Sequence, residues 1–499
     1  MRLDRVVIGM RLDRVVIFGL FILIGITSCK SQKKEIENGE IKTKVFEVDT
    51  VSLIRNPGMG WTIYDDAHDQ VADAKEYWIK QDTIAKKYAS VLYLRWRWSE
   101  MEPEEGKYAW EYDENFKSLV QGALDRNLRL AFRVYVSGQD NVFQTTPEFV
   151  FDQGAKFYME KGGDGEVKSP YPDDPIFQEK FKNFIQAFAK EFDNPLQVDY
   201  IDGYNLGWWG EGHHLRFIDE ENREKTFKWI IDLYGNTFKN VPLVITVDSE
   251  IGHDLELIHA INGQGYAVRR DGYASTWMPE AQKDLLRGLF PKSFVVAECC
   301  YWQDRSIESV NKIERVYNWD SWADYYKQVV NEALETHANY LDLRENVESV
   351  RWTRDANLEV HRFIKKGGYR IAPTEISYAL KNEKLTIKHS WKNFGVGVVP
   401  NNNRRWNYKF KVNFVLLDKN DTVIKNWLDV NAEPSAWIGK DLFKYVFEVE
   451  TKKLNKGNYK LAVAILADSE TDKRKLNLAL LNPDLIDNKY NFIGKININ

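Results

Sequence analysis

Leu128-Arg-Leu-Ala-Phe-Arg-Val-Tyr-Val136 is almost wholly apolar and aromatic, broken by two arginines. A run of this length and composition reads as a strand buried on both faces. Comparable runs lie at 58–64, 90–96, 199–206, 242–248, 293–298 and 339–343, with a weaker one at 265–274. Between them, 116–124, 177–192, 225–238, 279–289 and 322–334 carry apolar residues at helical spacing. Eight strands alternating with helices predict an α/β fold, a (β/α)8 TIM barrel, over residues 51–368. The alternative is an open doubly wound sheet. No glycine-rich phosphate turn follows the first strand, which argues against a dinucleotide-binding version and against a cofactor of that kind. The stretch 137–175, with Gly162-Gly-Asp-Gly165 and Ser169-Pro-Tyr-Pro-Asp173, reads as a long loop of the sort that shapes a cleft.

Beyond Gly367-Gly368 the period changes to two. Runs at 385–391, 408–417, 444–449, 459–467 and 492–498, separated by turn residues, predict an antiparallel β-sandwich over 369–499.

The N-terminus has a different character. Residues 1–8 recur at 10–17 and are set aside from the fold. A short apolar run, Val15 to Ile26, then ends in Ile26-Thr-Ser-Cys29. Basic residues before a short apolar core mark a secretory signal. The cysteine after small residues resembles a bacterial lipobox. The expectation is cleavage before Cys29, lipidation of its thiol, and a membrane-anchored protein of the bacterial envelope. A plain signal peptide with an incidental cysteine is the alternative. Residues 30–50, polar and charged, read as a flexible tether. The remaining cysteines, Cys299 and Cys300, cannot build a disulfide framework. Net charge is −5 with no basic stripe, so nucleic acid is not an expected partner.

Chemistry concentrates in Tyr200-Ile-Asp-Gly-Tyr-Asn-Leu-Gly-Trp-Trp-Gly-Glu-Gly-His-His214. A strand runs into a loop freed by Gly207, Gly210 and Gly212, where Glu211 sits among tryptophans and histidines. A second acid, Glu298, ends the strand at 293–298. In a barrel, residues at the C-terminal ends of strands face the loops where function resides. Two carboxyls in opposite protonation states are what glycosidic bond cleavage requires. Trp208 and Trp209 are expected to wall off Glu211 as a proton donor, and Arg95 or Arg133 to hold Glu298 ionised. Arg95, Arg133, Asn205, Trp209, His213, Asp248, Asp271 and Trp302 are the expected substrate contacts.

The segment Leu94-Arg-Trp-Arg-Trp-Ser-Glu-Met-Glu-Pro-Glu-Glu-Gly-Lys-Tyr-Ala-Trp110 resembles the strand-two region of clan A glycoside hydrolases. It is most similar to family 42 and family 35 β-galactosidases. That resemblance implies a retaining mechanism with the acid/base after strand four and the nucleophile at the end of strand seven, the positions of Glu211 and Glu298. Asn56-Pro-Gly-Met-Gly-Trp61 and Trp209-Gly-Glu-Gly-His213 are also similar to a group of bacterial proteins with a barrel and a β-sandwich behind it. One feature departs from the clan. Its acid/base directly follows an asparagine, whereas Asn205 precedes Glu211 by six positions.

Competing readings remain at this point. Glu211 and Glu298 can be structural acids, and the protein a surface glycan binder without turnover. His213 and His214 can be metal ligands with Glu211 or His253, but no metal-hydrolase spacing such as His-Glu-x-x-His is present, so no metal is expected. The sandwich can bind carbohydrate through Trp391, Trp406, Trp427 or Trp437, or simply cap the barrel.

Overall fold

The structure, a computed structural model, describes residues 39–65, 71–138, 144–162, 165–247, 254–406, 408–468 and 474–498. The proposed signal, the lipidation site Cys29 and Asp248 lie outside the described residues.

Eight strands close into a barrel: β1 (Gly60–Tyr64), β2 (Ala89–Arg97), β3 (Arg129–Tyr135), β4 (Val198–Asp202), β5 (Leu243–Thr246), β6 (Ala267–Tyr273), β7 (Val295–Cys299) and β8 (Tyr340–Arg344). Every neighbouring pair is parallel, and β8 returns to β1. Nearly every strand residue is buried, because helices cover the outside and side chains fill the inside. The helix Pro175–Phe192 shows how the outer layer forms. Asp174 caps it, accepting from Ile176 N at 2.9 Å and Phe177 N at 3.0 Å, and Pro175 fits the first turn. Phe177, Phe181, Phe184, Phe188 and Phe192 then lie on one face, buried against the barrel. Each contributes about 1.5–3 kcal/mol by burial.

The sandwich consists of two antiparallel sheets. One contains Ile371–Lys381, Lys384–Asn393 and Phe443–Glu450. The other contains Lys411–Leu417, Val423–Asp429, Gly457–Leu466, Leu485–Ile486 and Tyr490–Ile498. Lys42–Val45, expected within the tether, is instead the edge strand of the first sheet and pairs with Ile371–Lys381. Its charged alternation suits a solvent-facing edge. Trp391, Trp406 and Trp437 are fully buried in the sandwich core, with Trp391 stacked on Trp437 at 4.9 Å. They therefore offer no sugar platform.

Residues 40–499 form one compact unit. The sandwich covers the N-terminal end of the barrel. Asn339, before β8, donates to Val398 O at 2.9 Å, and Arg129 of β3 donates to the Tyr408 hydroxyl at 2.9 Å. The opposite end, where the strands run out into loops, is where a barrel of this kind carries its site. In one of those loops, Phe157–Gly162 and Gly165–Pro170 form an antiparallel hairpin where a long loop was expected.

Candidate active site

A charged ring lies over an apolar layer at the C-terminal end of the barrel. Side chains alternate along a strand, so inward positions recur every second residue. Tyr93, Ala131, Tyr200, Ala267, Val296 and Tyr340 belong to the interior cluster. Two residues further along each strand stand Arg95, Arg133, Asp202, Arg269, Glu298 and Asp342.

Arg133 organises one side of this ring. Its Nε donates to Asp202 Oδ2 at 2.9 Å, and its Nη1 donates to Glu211 Oε1 at 2.6 Å and to Trp209 O at 3.0 Å. The Tyr93 hydroxyl donates to the same Asp202 oxygen. Glu211, 8 % exposed, is thus held at the mouth by a side chain rooted in β3. The loop carrying it folds tightly on itself: Trp208 N donates to His213 O at 3.0 Å and Gly212 N to Leu206 O at 2.9 Å. Gly207 permits this, because its φ is +74° and an added Cβ would lie 2.7 Å from His213 O.

Arg269 links the two acids. Its guanidinium is fully buried. Nη2 is in ionic contact with Glu298 Oε2, without hydrogen-bond alignment, and lies 3.7 Å from Glu211 Oε1. Nη1 lies 3.3 Å from the Tyr93 hydroxyl and 3.9 Å from Asp202 Oδ2. Burial and the neighbouring Arg133 oppose its charge, but Tyr93 and Asp202 outweigh them and hold it above the ordinary arginine value. Arg344 approaches from β8. Nη2 is 3.6 Å from Glu298 Oε1, Nε donates to Asp342 Oδ2 at 2.8 Å, and the guanidinium stacks 3.9 Å over the Trp302 ring.

The structure revises the expected partnerships. Glu298 is held by Arg269 and Arg344, not by Arg95 or Arg133. Arg95 lies on the β1 side, its guanidinium 4.5 Å over the Tyr64 ring. Glu211 is paired with Arg133 where a wall of Trp208 and Trp209 was expected. The Trp208 indole donates to Glu160 of the hairpin at 3.2 Å, and Trp208 stacks on His214 at 3.5 Å. Trp209 is half-buried and presents its carbonyl to Arg133. Asn205 is turned inward: Nδ2 donates to Asp202 O at 2.9 Å and to the Tyr234 hydroxyl at 2.5 Å, which fixes the loop.

Other expected residues do gather at the mouth. His213 Nε2 lies 4.0 Å from Glu211 Oε2. Burial opposes the charge on Asp271, yet Arg270 beside it and Arg269, His213 and Arg133 across the mouth hold its carboxyl below the usual value. Trp302 lies half-buried beneath Arg344. Cys299 is buried against Asp342, 3.4 Å from Oδ2, and burial pushes its thiol well up, so it is a poor nucleophile. Among the described residues no group of three or more His, Cys, Asp or Glu can hold a metal ion.

The sequence reading missed Tyr93, Asp202 and Glu160. Tyr93 and Asp202 carried a signal, since both fall on the inward register of their strands. Glu160 carried none. It is a buried carboxylate accepting from Trp208, Ser137 and Ser169, and it pins the hairpin to the Glu211 loop.

No family model matches the chain, and no curated protein matches it. Solved structures with a similar fold include the catalytic domain of a β-amylase from Paenibacillus polymyxa (10% identity, 62% of this chain and 98% of that one, TM-score 0.41). An endo-β-1,4-mannanase from Thermotoga petrophila shares 11% identity over 88% of this chain and 99% of that one, with TM-score 0.39. Endo-glycoceramidase II from Rhodococcus sp. shares 10% over 82% and 99%, with TM-score 0.40. At these values the likeness carries no argument about chemistry.

Proposed function

We propose that this protein is a retaining glycoside hydrolase with Glu298 as nucleophile and Glu211 as acid/base. One observation carries the reading: a single nitrogen, Arg269 Nη2, touches Glu298 and lies 3.7 Å from Glu211. Their nearest oxygens are therefore no further apart than about the retaining spacing of roughly 5–5.5 Å, which supports a retaining pair. Two guanidiniums against Glu298 suit an attacking carboxylate. Glu298 bonds to the anomeric carbon as the glycosidic C–O bond breaks, and the proton on Glu211 passes to the leaving oxygen. Glu211 then takes a proton from water, the water oxygen bonds to the anomeric carbon, and the ester to Glu298 breaks. Before the first step Glu211 must leave Arg133 and take up a proton.

The Leu94–Trp110 segment makes β-galactosides the first glycosides to test. We also propose that the chain is exported and anchored through Cys29, which would place the mouth among extracellular or periplasmic glycans.

The Arg133–Glu211 ion pair favours a second reading, a glycan-binding protein without turnover, because it occupies the proton donor. A panel of polysaccharides and aryl glycosides separates the two, with reducing ends measured for wild type and Glu298→Gln. Release by wild type that disappears in the variant supports hydrolysis. Release that persists rejects Glu298, and binding without release by either protein supports the second reading.

A further inference from the structure

Trp277, in the turn after β6, is 67% exposed, whereas Trp391, Trp406 and Trp437 are fully buried. An indole left in water forgoes a burial gain of about 2 kcal/mol or more. The turn around it is nevertheless firmly held. Trp277 N donates to Ser275 Oγ at 3.2 Å, and Trp277 O accepts from Arg270 Nη2 at 2.5 Å. Thr276 N donates to Glu314 Oε2 at 2.6 Å, and the same buried carboxylate accepts from the Tyr301 hydroxyl. Trp277 is thus an exposed ring on a braced turn.

The bracing residues lead directly to the mouth. Arg270 pairs with Asp271, which lies in the field of Arg269, His213 and Arg133. Tyr301 O accepts from Arg344 Nη1 at 3.2 Å, and Arg344 Nη2 is 3.6 Å from Glu298. Trp277 therefore stands on the β6–β7 rim of the mouth, too far along the loop to belong to the charged ring itself.

We propose that Trp277 is a stacking platform for a pyranose ring of an oligo- or polysaccharide, in a subsite outside the sugar at Glu298. The negative face of an indole attracts the C–H bonds of a sugar, which are polarised by the ring oxygens. A flat aromatic surface needs no charge on the ligand, so a neutral glycan chain is the occupant. The position of this subsite relative to the cleaved bond rests on the hydrolase reading; glycan binding at Trp277 does not.

The test compares wild type, Trp277→Ala and Trp277→Phe. Retention is measured in native gels containing neutral polysaccharides (mannan, galactan, xylan, β-glucan), and kcat/KM on aryl monoglycosides and longer oligosaccharides. Trp277→Ala is expected to lose about ten-fold in affinity for a polysaccharide, the scale of losing one stacked ring. Trp277→Phe keeps most of the binding, and aryl monoglycoside turnover is unchanged. Equal retention of wild type and Trp277→Ala, equal losses on short and long substrates, or no retention of wild type by any of the four glycans overturns the proposal. Retention that depends on Trp277 without cleavage by wild type upholds the platform and rejects the hydrolase.

Discussion

Replacing Arg269 by methionine removes the charge that ties the two acids together while keeping most of the volume. Arg269 is fully buried, so its loss leaves carboxylates in a dry site. The effect is uneven. Glu211 keeps Arg133 at 2.6 Å, whereas Glu298 keeps only Arg344 at 3.6 Å. Breaking a buried ion pair from one side typically costs about 3–5 kcal/mol, because the remaining charge is uncompensated. For a domain of the barrel's size this corresponds to a fall of roughly 5–10 °C in melting temperature. The stranded charge is mainly on Glu298, so Arg269→Met/Glu298→Gln should recover about 2 kcal/mol of the loss, and Arg269→Met/Glu211→Gln much less. Thermal unfolding followed by circular dichroism gives all four values. Equal recovery in both double variants, or none in either, would refute the argument that Arg269 is chiefly the partner of Glu298.

Three further outcomes follow from particular contacts. Glu160→Ala strands the Trp208 indole and the Ser137 and Ser169 hydroxyls and should cost about 1–3 kcal/mol, with faster proteolytic cleavage near 157–170, whereas Glu160→Gln keeps one acceptor oxygen and can donate its amide N–H to a hydroxyl, so it should lose less. Trp391→Ala should cost about 3–5 kcal/mol in thermal unfolding and leave polysaccharide retention unchanged, because its ring is buried against Trp437. His337 stacks on Phe290 at 3.8 Å and meets Val396 O at 3.0 Å, and burial lowers its imidazole below the ordinary value of 6.5. Its folded form resists protonation, so the stability it contributes is complete above about pH 6.5 and is lost as pH falls through the lowered value. Melting scans from pH 7.5 to 5 should show a smaller acid-side drop in His337→Asn than in wild type.

The barrel was legible because its strands are buried on both faces and most of them write largely apolar runs, as Leu128–Val136 does, whereas β6 with Arg269, Arg270 and Asp271 gave a weaker one. The five sandwich runs were legible through alternation, and Phe443–Glu450 alternates half-buried and exposed positions without interruption. Lys42–Val45 was not legible, because an edge strand of lysines and a threonine looks like a tether until its partner is known. The hairpin at 157–170 was hidden by Gly162-Gly-Asp-Gly165, which reads as loop. At the site, Glu211, Glu298, Arg95 and Arg133 were visible but not their pairing. Strand adjacency contained the answer, since β3 neighbours β4 and β6 neighbours β7. That order places Arg133 with Asp202 and Glu211, and Arg269 with Glu298. The fold of the Glu211 loop, which turns Asn205 inward and Trp208 toward Glu160, depends on left-handed backbone at Asn205, Trp209 and His214 as well as at the glycines. Nothing in residue order announces those conformations.

The central claim is that Glu298 attacks the anomeric carbon. The most direct measurement is to incubate the protein with activated 2-deoxy-2-fluoro glycosides, beginning with the galactoside, and to locate any glycosyl adduct by peptide mass spectrometry. The account predicts a single adduct on Glu298, absent in Glu298→Gln. An adduct on Glu211 or Asp271, or release of a product with inverted anomeric configuration, would contradict it.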